Sequence, residues 1–129
     1  MAAKANNYEG IVRDIKAGRY APVYYLMGDE AYYIDRISQY IVDSVLQPEA
    51  RDFNLDVLYA GDVGMDAIVE RARTYPMMAE NRVVVVREAQ GLRNLDLLEA
   101  YLKQPSPTTL LVFCHKNGKL DARRNGAKA

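Results

Sequence analysis

The chain has 129 residues, 50% hydrophobic and 26% charged, and its 17 basic residues balance 17 acidic ones. That length makes one ordinary domain with a core of its own, and the body before the last fifteen residues, with 12 basic against 16 acidic residues, offers no general affinity for nucleic acid. No apolar run approaches bilayer length and no signal-peptide pattern opens the chain, while a single cysteine, Cys114, excludes an internal disulfide and fits a reducing cytoplasm.

The opening MAAKANN is polar and reads as a disordered lead over residues 1–7. Residues 8–17 place Tyr8, Ile11, Val12 and Ile15 on one helix face, and Gly18 supplies a stop. Pro22 precedes VYYLMG, a short apolar strand over residues 23–28. Asp29 stands where it can cap a helix whose buried stripe is Ile34, Ile37, Ile41 and Val45, and Gln47-Pro48 ends it. FNLDVLYA, residues 53–60, alternates as a half-buried edge strand does. Gly61-Asp62 then turns into a helix over residues 65–74, with Met65, Ile68, Val69 and Ala72 apolar.

Residues 82–88 are a valine strand, apolar on both faces and therefore central and parallel. Asn94 stands as cap to a helix through Leu95, Leu98 and Leu102, closed by Pro105 and Pro107. TLLVFCH, residues 109–115, is the last strand. The closing HKNGKLDARRNGAKA carries five basic residues and one acid, and its stretch 117–129 reads as a flexible basic tail. After the first helix the order is βαβαβαβ, which implies right-handed crossovers and an α/β fold of three layers: a parallel sheet with helices on both faces. The whole chain, 1–129, is one domain.

Sheets of this kind bind ligands at the carboxyl ends of their strands. A phosphate loop after the first strand needs G-x-x-x-x-G-K-[ST]. Here Tyr33 stands at the second glycine, Ile34 at the lysine and Asp35 at the Ser/Thr position, and Asp29 and Glu30 add charge that repels phosphate. The valine strand ends in Arg87 and Glu88, where a magnesium site needs an aspartate. Cys114 and His115 are adjacent on a strand, so they point to opposite faces and cannot act as nucleophile and base. Asp96 and Glu99 read as a solvated helix face. The Tyr24-Tyr25 and Tyr32-Tyr33 doublets, lacking a basic surround, read as packing with wet hydroxyls. No catalytic, cofactor or metal site is therefore expected.

One stretch stays unexplained: ARTYPMMAENRVVVVREA, residues 72–89. Pro76 resets the chain, and consecutive residues cannot easily share one buried face, so Met77 and Met78 invite two readings. In one, a methionine plugs the end of the core and its neighbour is incidental; the residues alone favour this. In the other the pair is an apolar plug for a partner's pocket, a task that suits unbranched, polarizable side chains.

The runs PVYYLMGDEAYYIDRISQYI, RARTYPMMAENRVVVVREAQGL and LLVFCHKNGKLDARR together resemble the N-terminal domain of the bacterial DNA polymerase III delta subunit family, across residues 20–124. The features are a Gly-x-[DE] turn without the phosphate-loop lysine, an apolar pair before an Arg-led strand, and a valine strand without its metal acid. The resemblance implies an AAA+-like fold with a degenerate P-loop, no cofactor, and no intrinsic activity in a chain that serves a nucleotidyltransferase holoenzyme. It implies a clamp-loader subunit that binds the sliding clamp and helps open and load it on DNA. The principal contact would be Met77 and Met78, with Thr74, Tyr75 and Ala79 at the rim. The family's pair is often Leu-Phe, so two methionines keep the volume and lose the ring. Contacts with the gamma/tau and delta prime subunits are implied for regions absent here, which makes the chain a truncated one, and contact with DNA only in the full assembly. With a strand missing beside residues 23–27, an unpaired edge would favour self-association. Two other readings stay open, a divergent nucleotide-binding α/β enzyme domain and a structural fragment with core methionines.

Overall fold

In the computed structural model, which describes residues 2–4, 8–28 and 30–116, the chain runs through ten main elements. They are β1 (Ala2–Lys4), α1 (Tyr8–Lys16), β2 (Val23–Gly28), α2 (Ala31–Val45), α3 (Arg51–Asn54), β3 (Leu55–Tyr59), α4 (Met65–Ala72), β4 (Arg82–Arg87), α5 (Leu95–Lys103) and β5 (Thr109–Lys116). The strands form one sheet in the order β1-β2-β5-β4-β3, parallel at every pairing. The chain thus adopts the α/β, three-layer architecture that its alternating elements imply.

The valine strand shows why. Val83 and Val85 point to the face covered by α1 and α2, and Val84 and Val86 to the face covered by α4 and α5. β5 divides in the same way, with Leu110, Val112 and Cys114 on one side and Leu111 and Phe113 on the other. Strands clad on both faces read as unbroken apolar runs because both side-chain directions lead into a core. β3, by contrast, is an edge, with Val57 and Tyr59 exposed. No described helix is long and apolar enough to cross a membrane.

Several expectations are corrected. Ala2–Lys4, read as part of a disordered lead, pairs with Val23–Tyr25 as β1. Three residues are too few for a side-chain period to appear, and backbone hydrogen bonding to a free strand edge needs none. That pairing covers the edge expected to be open at Val23–Tyr25, which removes the basis for self-association through those residues. In α2, Ile34, Ile37 and Ile41 are buried as expected, but the stripe continues through Val42, while Val45 in the last turn is half-buried. The N-cap of α2 is Glu30, without a side-chain capping bond. Asp29 and the tail 117–129 lie outside the described residues.

The β3 strand begins at Leu55 because Phe53 and Asn54 complete α3. In α5, Leu95 is exposed and Tyr101 takes the core position. Its hydroxyl accepts a hydrogen bond from the Ser106 N–H at 3.2 Å, which lets the ring be buried at little polar cost. Asn94 precedes α5 in the left-handed region at φ 59° and makes no side-chain cap.

Candidate functional site

The α4-to-β4 connection lies at the amino end of β4, on the opposite side of the sheet from the strand carboxyl ends. α4 stops at Ala72. Arg73 then stacks its guanidinium over the Tyr101 ring, 4.7 Å from the centroid, and donates to the Gln104 carbonyl at 2.8 Å. The Thr74 hydroxyl donates to the Glu70 carbonyl at 3.1 Å. These contacts tie the start of the loop to α4 and α5. Beyond them the chain rises into a crest: Tyr75 is 80% exposed, Met77 55% and Met78 88%, with Pro76 and Ala79 half-buried.

Two polar residues brace the crest from below. Asn54, at the end of α3, is fully buried. Its carboxamide accepts from the Met77 N–H at 2.6 Å and donates to the Met77 carbonyl at 2.8 Å and the Ala50 carbonyl at 3.0 Å. Arg82, at the start of β4, is 5% exposed. It donates to the Phe53 carbonyl at 3.1 Å and pairs with the Asp56 carboxylate, which also faces Arg71 at 3.6 Å. A charge so buried persists because it is matched and hydrogen-bonded. Beside the crest runs an open groove of about 500 Å3, lined by Tyr20, Leu46, Met78, Ala79 and Asn81 among others.

Met78 has a second peculiarity. Its φ is +59°, the left-handed region, which costs a residue with a Cβ about 1 kcal/mol or more. Glycine would adopt it freely. A large side chain is thus held out in solvent at a position where its backbone is strained.

At the other end of the sheet lies the crevice where nucleotides bind in related architectures. Ile34, at the expected lysine position, is 3% exposed and packed into the core. Asp35 faces Arg87 at 3.3 Å and Lys116 at 3.1 Å, residues that end β4 and β5. Asp35 thus bridges the two cations that end these strands and offsets one of their two positive charges. Arg36 donates to the Tyr32 hydroxyl at 2.8 Å on the same helix.

The remaining chemical candidates stay apart, as their strand positions require. Cys114 is buried among the α1–α2 side of the core, and burial pushes its thiol up, an effect partly offset by the neighbouring Ser38 hydroxyl. His115 faces the other way, its Nδ1 2.8 Å from the Tyr25 hydroxyl. Asp96 and Glu99 are exposed on α5. Of the expected clamp-binding residues, Thr74, Tyr75, Met77, Met78 and Ala79 all belong to the one loop. Asn54 was missed by sequence reasoning, since a buried polar residue carries no periodic signal. Arg82 was noticed only as the head of a strand, and its partners are remote in sequence.

The family described as "DNA polymerase III, delta subunit" matches residues 24–129. The DNA polymerase III subunit delta of Bacillus subtilis is 32% identical over 127 residues, covering 91% of this chain and 37% of that protein. Among solved structures, the Bacillus subtilis DNA clamp loader delta protein superposes with a TM-score of 0.75 at 29% identity, covering 84% of this chain and 36% of that one. A DNA polymerase III gamma subunit-related protein from Thermotoga maritima shares the fold, with a TM-score of 0.58 at 18% identity, across 86% of this chain and 40% of its own. The chain spans little more than a third of the length of the delta proteins it matches. On a match covering most of its residues, the chain belongs to the DNA polymerase III delta subunit family.

Proposed function

We propose that the chain is the clamp-binding, non-catalytic module of a DNA polymerase III clamp loader, and that Met77 and Met78 are the plug that enters a pocket on the sliding clamp. One observation carries the reading: neighbouring methionines, 55% and 88% exposed, crown a loop anchored beneath by a buried asparagine. Exposed apolar pairs on a rigid support are what interface anchors look like before binding. Their transfer from water into a pocket is worth roughly 2–4 kcal/mol together. Thr74, Tyr75 and Ala79 form the rim. Assignment of both methionines to the core disagrees with their exposure.

On this reading the chain binds the clamp and helps to open it and load it on DNA, in the cytoplasm, while the gamma/tau and delta prime subunits engage regions of the family outside the part that this chain matches. DNA is met only in the full assembly. The work of ATP hydrolysis belongs to the other subunits. The residues at the strand ends support that division, because a core isoleucine, Ile34, stands at the phosphate-loop lysine position and Arg87 stands where a metal would need a carboxylate.

The test is direct. Serine at both Met77 and Met78 is expected to abolish capture of the protein by its immobilised sliding clamp, while the thermal melt stays within a degree or so, since surface substitutions change stability little. Undiminished capture by the double variant would remove the proposal.

A further inference from the structure

We infer that Asn54 is the positioning residue of the plug: its side chain fixes the Met77 backbone in the binding-ready conformation, an inference that rests on the clamp-binding role proposed above. The carboxamide pairs with both the N–H and the carbonyl of Met77, at 2.6 and 2.8 Å, as a neighbouring strand would. A third bond to the Ala50 carbonyl, at 3.0 Å, ties the amide itself to the turn before α3. Between Tyr75 and Glu80, among the described residues, the backbone hydrogen bonds recorded are the two with Asn54. Among the described residues, Asn54 is thus the hydrogen-bonded anchor of the crest, placed directly under the first methionine.

Arg82 secures that point from the side, since its guanidinium holds the Phe53 carbonyl, one residue before Asn54. Asn54 is fully buried, so it touches no partner, and its effect on binding must pass through Met77. A loop frozen before encounter spares the complex the entropy of ordering it. With the clamp of hydrogen bonds removed, the plug keeps its chemistry and loses its preorganisation. The resulting deficit is about tenfold in affinity, the factor expected when roughly one residue's backbone freedom must be frozen on binding.

The experiment compares the protein with its Asn54→Ser variant, using the cognate sliding clamp as probe. In the unmodified protein the Met77 amide should be protected from hydrogen exchange; exchange at the rate of an open loop would overturn the inference without any variant. In Asn54→Ser that protection should vanish and the clamp dissociation constant should rise about tenfold. A cycle with Met77→Ala separates positioning from general destabilisation. If Asn54 acts through the plug, the double variant loses less affinity than the product of the two single losses; losses that simply multiply would mean Asn54 only supports the fold. Wild-type affinity in Asn54→Ser, despite lost protection, would likewise overturn the positioning role and leave the plug standing. Wild-type affinity in the Met77→Ser/Met78→Ser protein would remove both.

Discussion

Glycine in place of Met78 should make the protein more stable and a worse clamp binder. The first half follows from the backbone. Met78 sits at φ +59°, where a side chain costs about 1–2 kcal/mol and glycine nothing. Glycine returns part of that gain as greater freedom of the unfolded chain, about 0.5–1 kcal/mol. The net is a stabilisation of roughly 0.5–1 kcal/mol, or a melting temperature higher by about 2–5 °C for a domain of this size. The methionine side chain gives up little in the folded state, because the residue is 88% exposed there.

The second half follows from the proposed pocket. Loss of one methionine side chain from a buried contact is worth about 1.5–3 kcal/mol, a drop of roughly 10- to 150-fold in affinity. Thermal denaturation by circular dichroism and surface plasmon resonance against the sliding clamp measure the two quantities on one sample. Opposite signs are the signature of a residue held in place for a partner at the expense of the fold. A lower melt with unchanged affinity would refute the reasoning, for it would mean that Met78 packs for stability.

Other outcomes follow from the same geometry. Arg82→Met should destabilise the protein by about 2–3 kcal/mol in urea unfolding, since it orphans the Phe53 carbonyl and leaves Asp56 only its longer contact with Arg71. Calorimetric titration with magnesium–ATP to millimolar concentration should give no binding isotherm, because buried Ile34 stands at the phosphate-loop lysine and Asp35 at its Ser/Thr position; submillimolar binding would instead favour a divergent nucleotide-binding domain. The Cys114 thiol, raised by burial above its ordinary 9.0, keeps its proton in the folded chain at pH values where the unfolded chain gives it up. Its stabilising contribution is therefore intact below that ordinary value and is lost as pH rises toward the folded one. Comparison of wild type with Cys114→Ala across that window should show the shallower decline in the variant.

What could be read in advance, and what could not, divides along physical lines. The strands and helices announced themselves because both cores are built from periodic apolar positions, such as Val83 to Val86 alternating between two faces. That Ile34 and Asp35 stand where a phosphate loop needs a lysine and a Ser/Thr was equally legible, since those positions are strict in residue type. β1 was not, because a three-residue edge strand is held by backbone bonds that no side-chain pattern encodes. Tyr101 was passed over for Leu95 because a tyrosine is buried only when its hydroxyl finds a partner, here Ser106. Asn54 was the largest omission. Its importance lies in a contact 23 residues away in the chain, and a lone asparagine at the end of a short helix looks like any other turn residue. The methionine pair was visible, but its exposure was not, and composition alone favoured the core.

The central claim is that the two adjacent methionines meet the clamp. Methyl-labelled methionine NMR tests it most directly, because the chain offers internal controls in buried Met65 and in Met27, which lies on β2 far from the loop. On titration with unlabelled sliding clamp, the Met77 and Met78 methyl signals should shift or broaden together while those of Met27 and Met65 hold their positions. Unmoved Met77 and Met78 signals at saturating clamp would contradict the account.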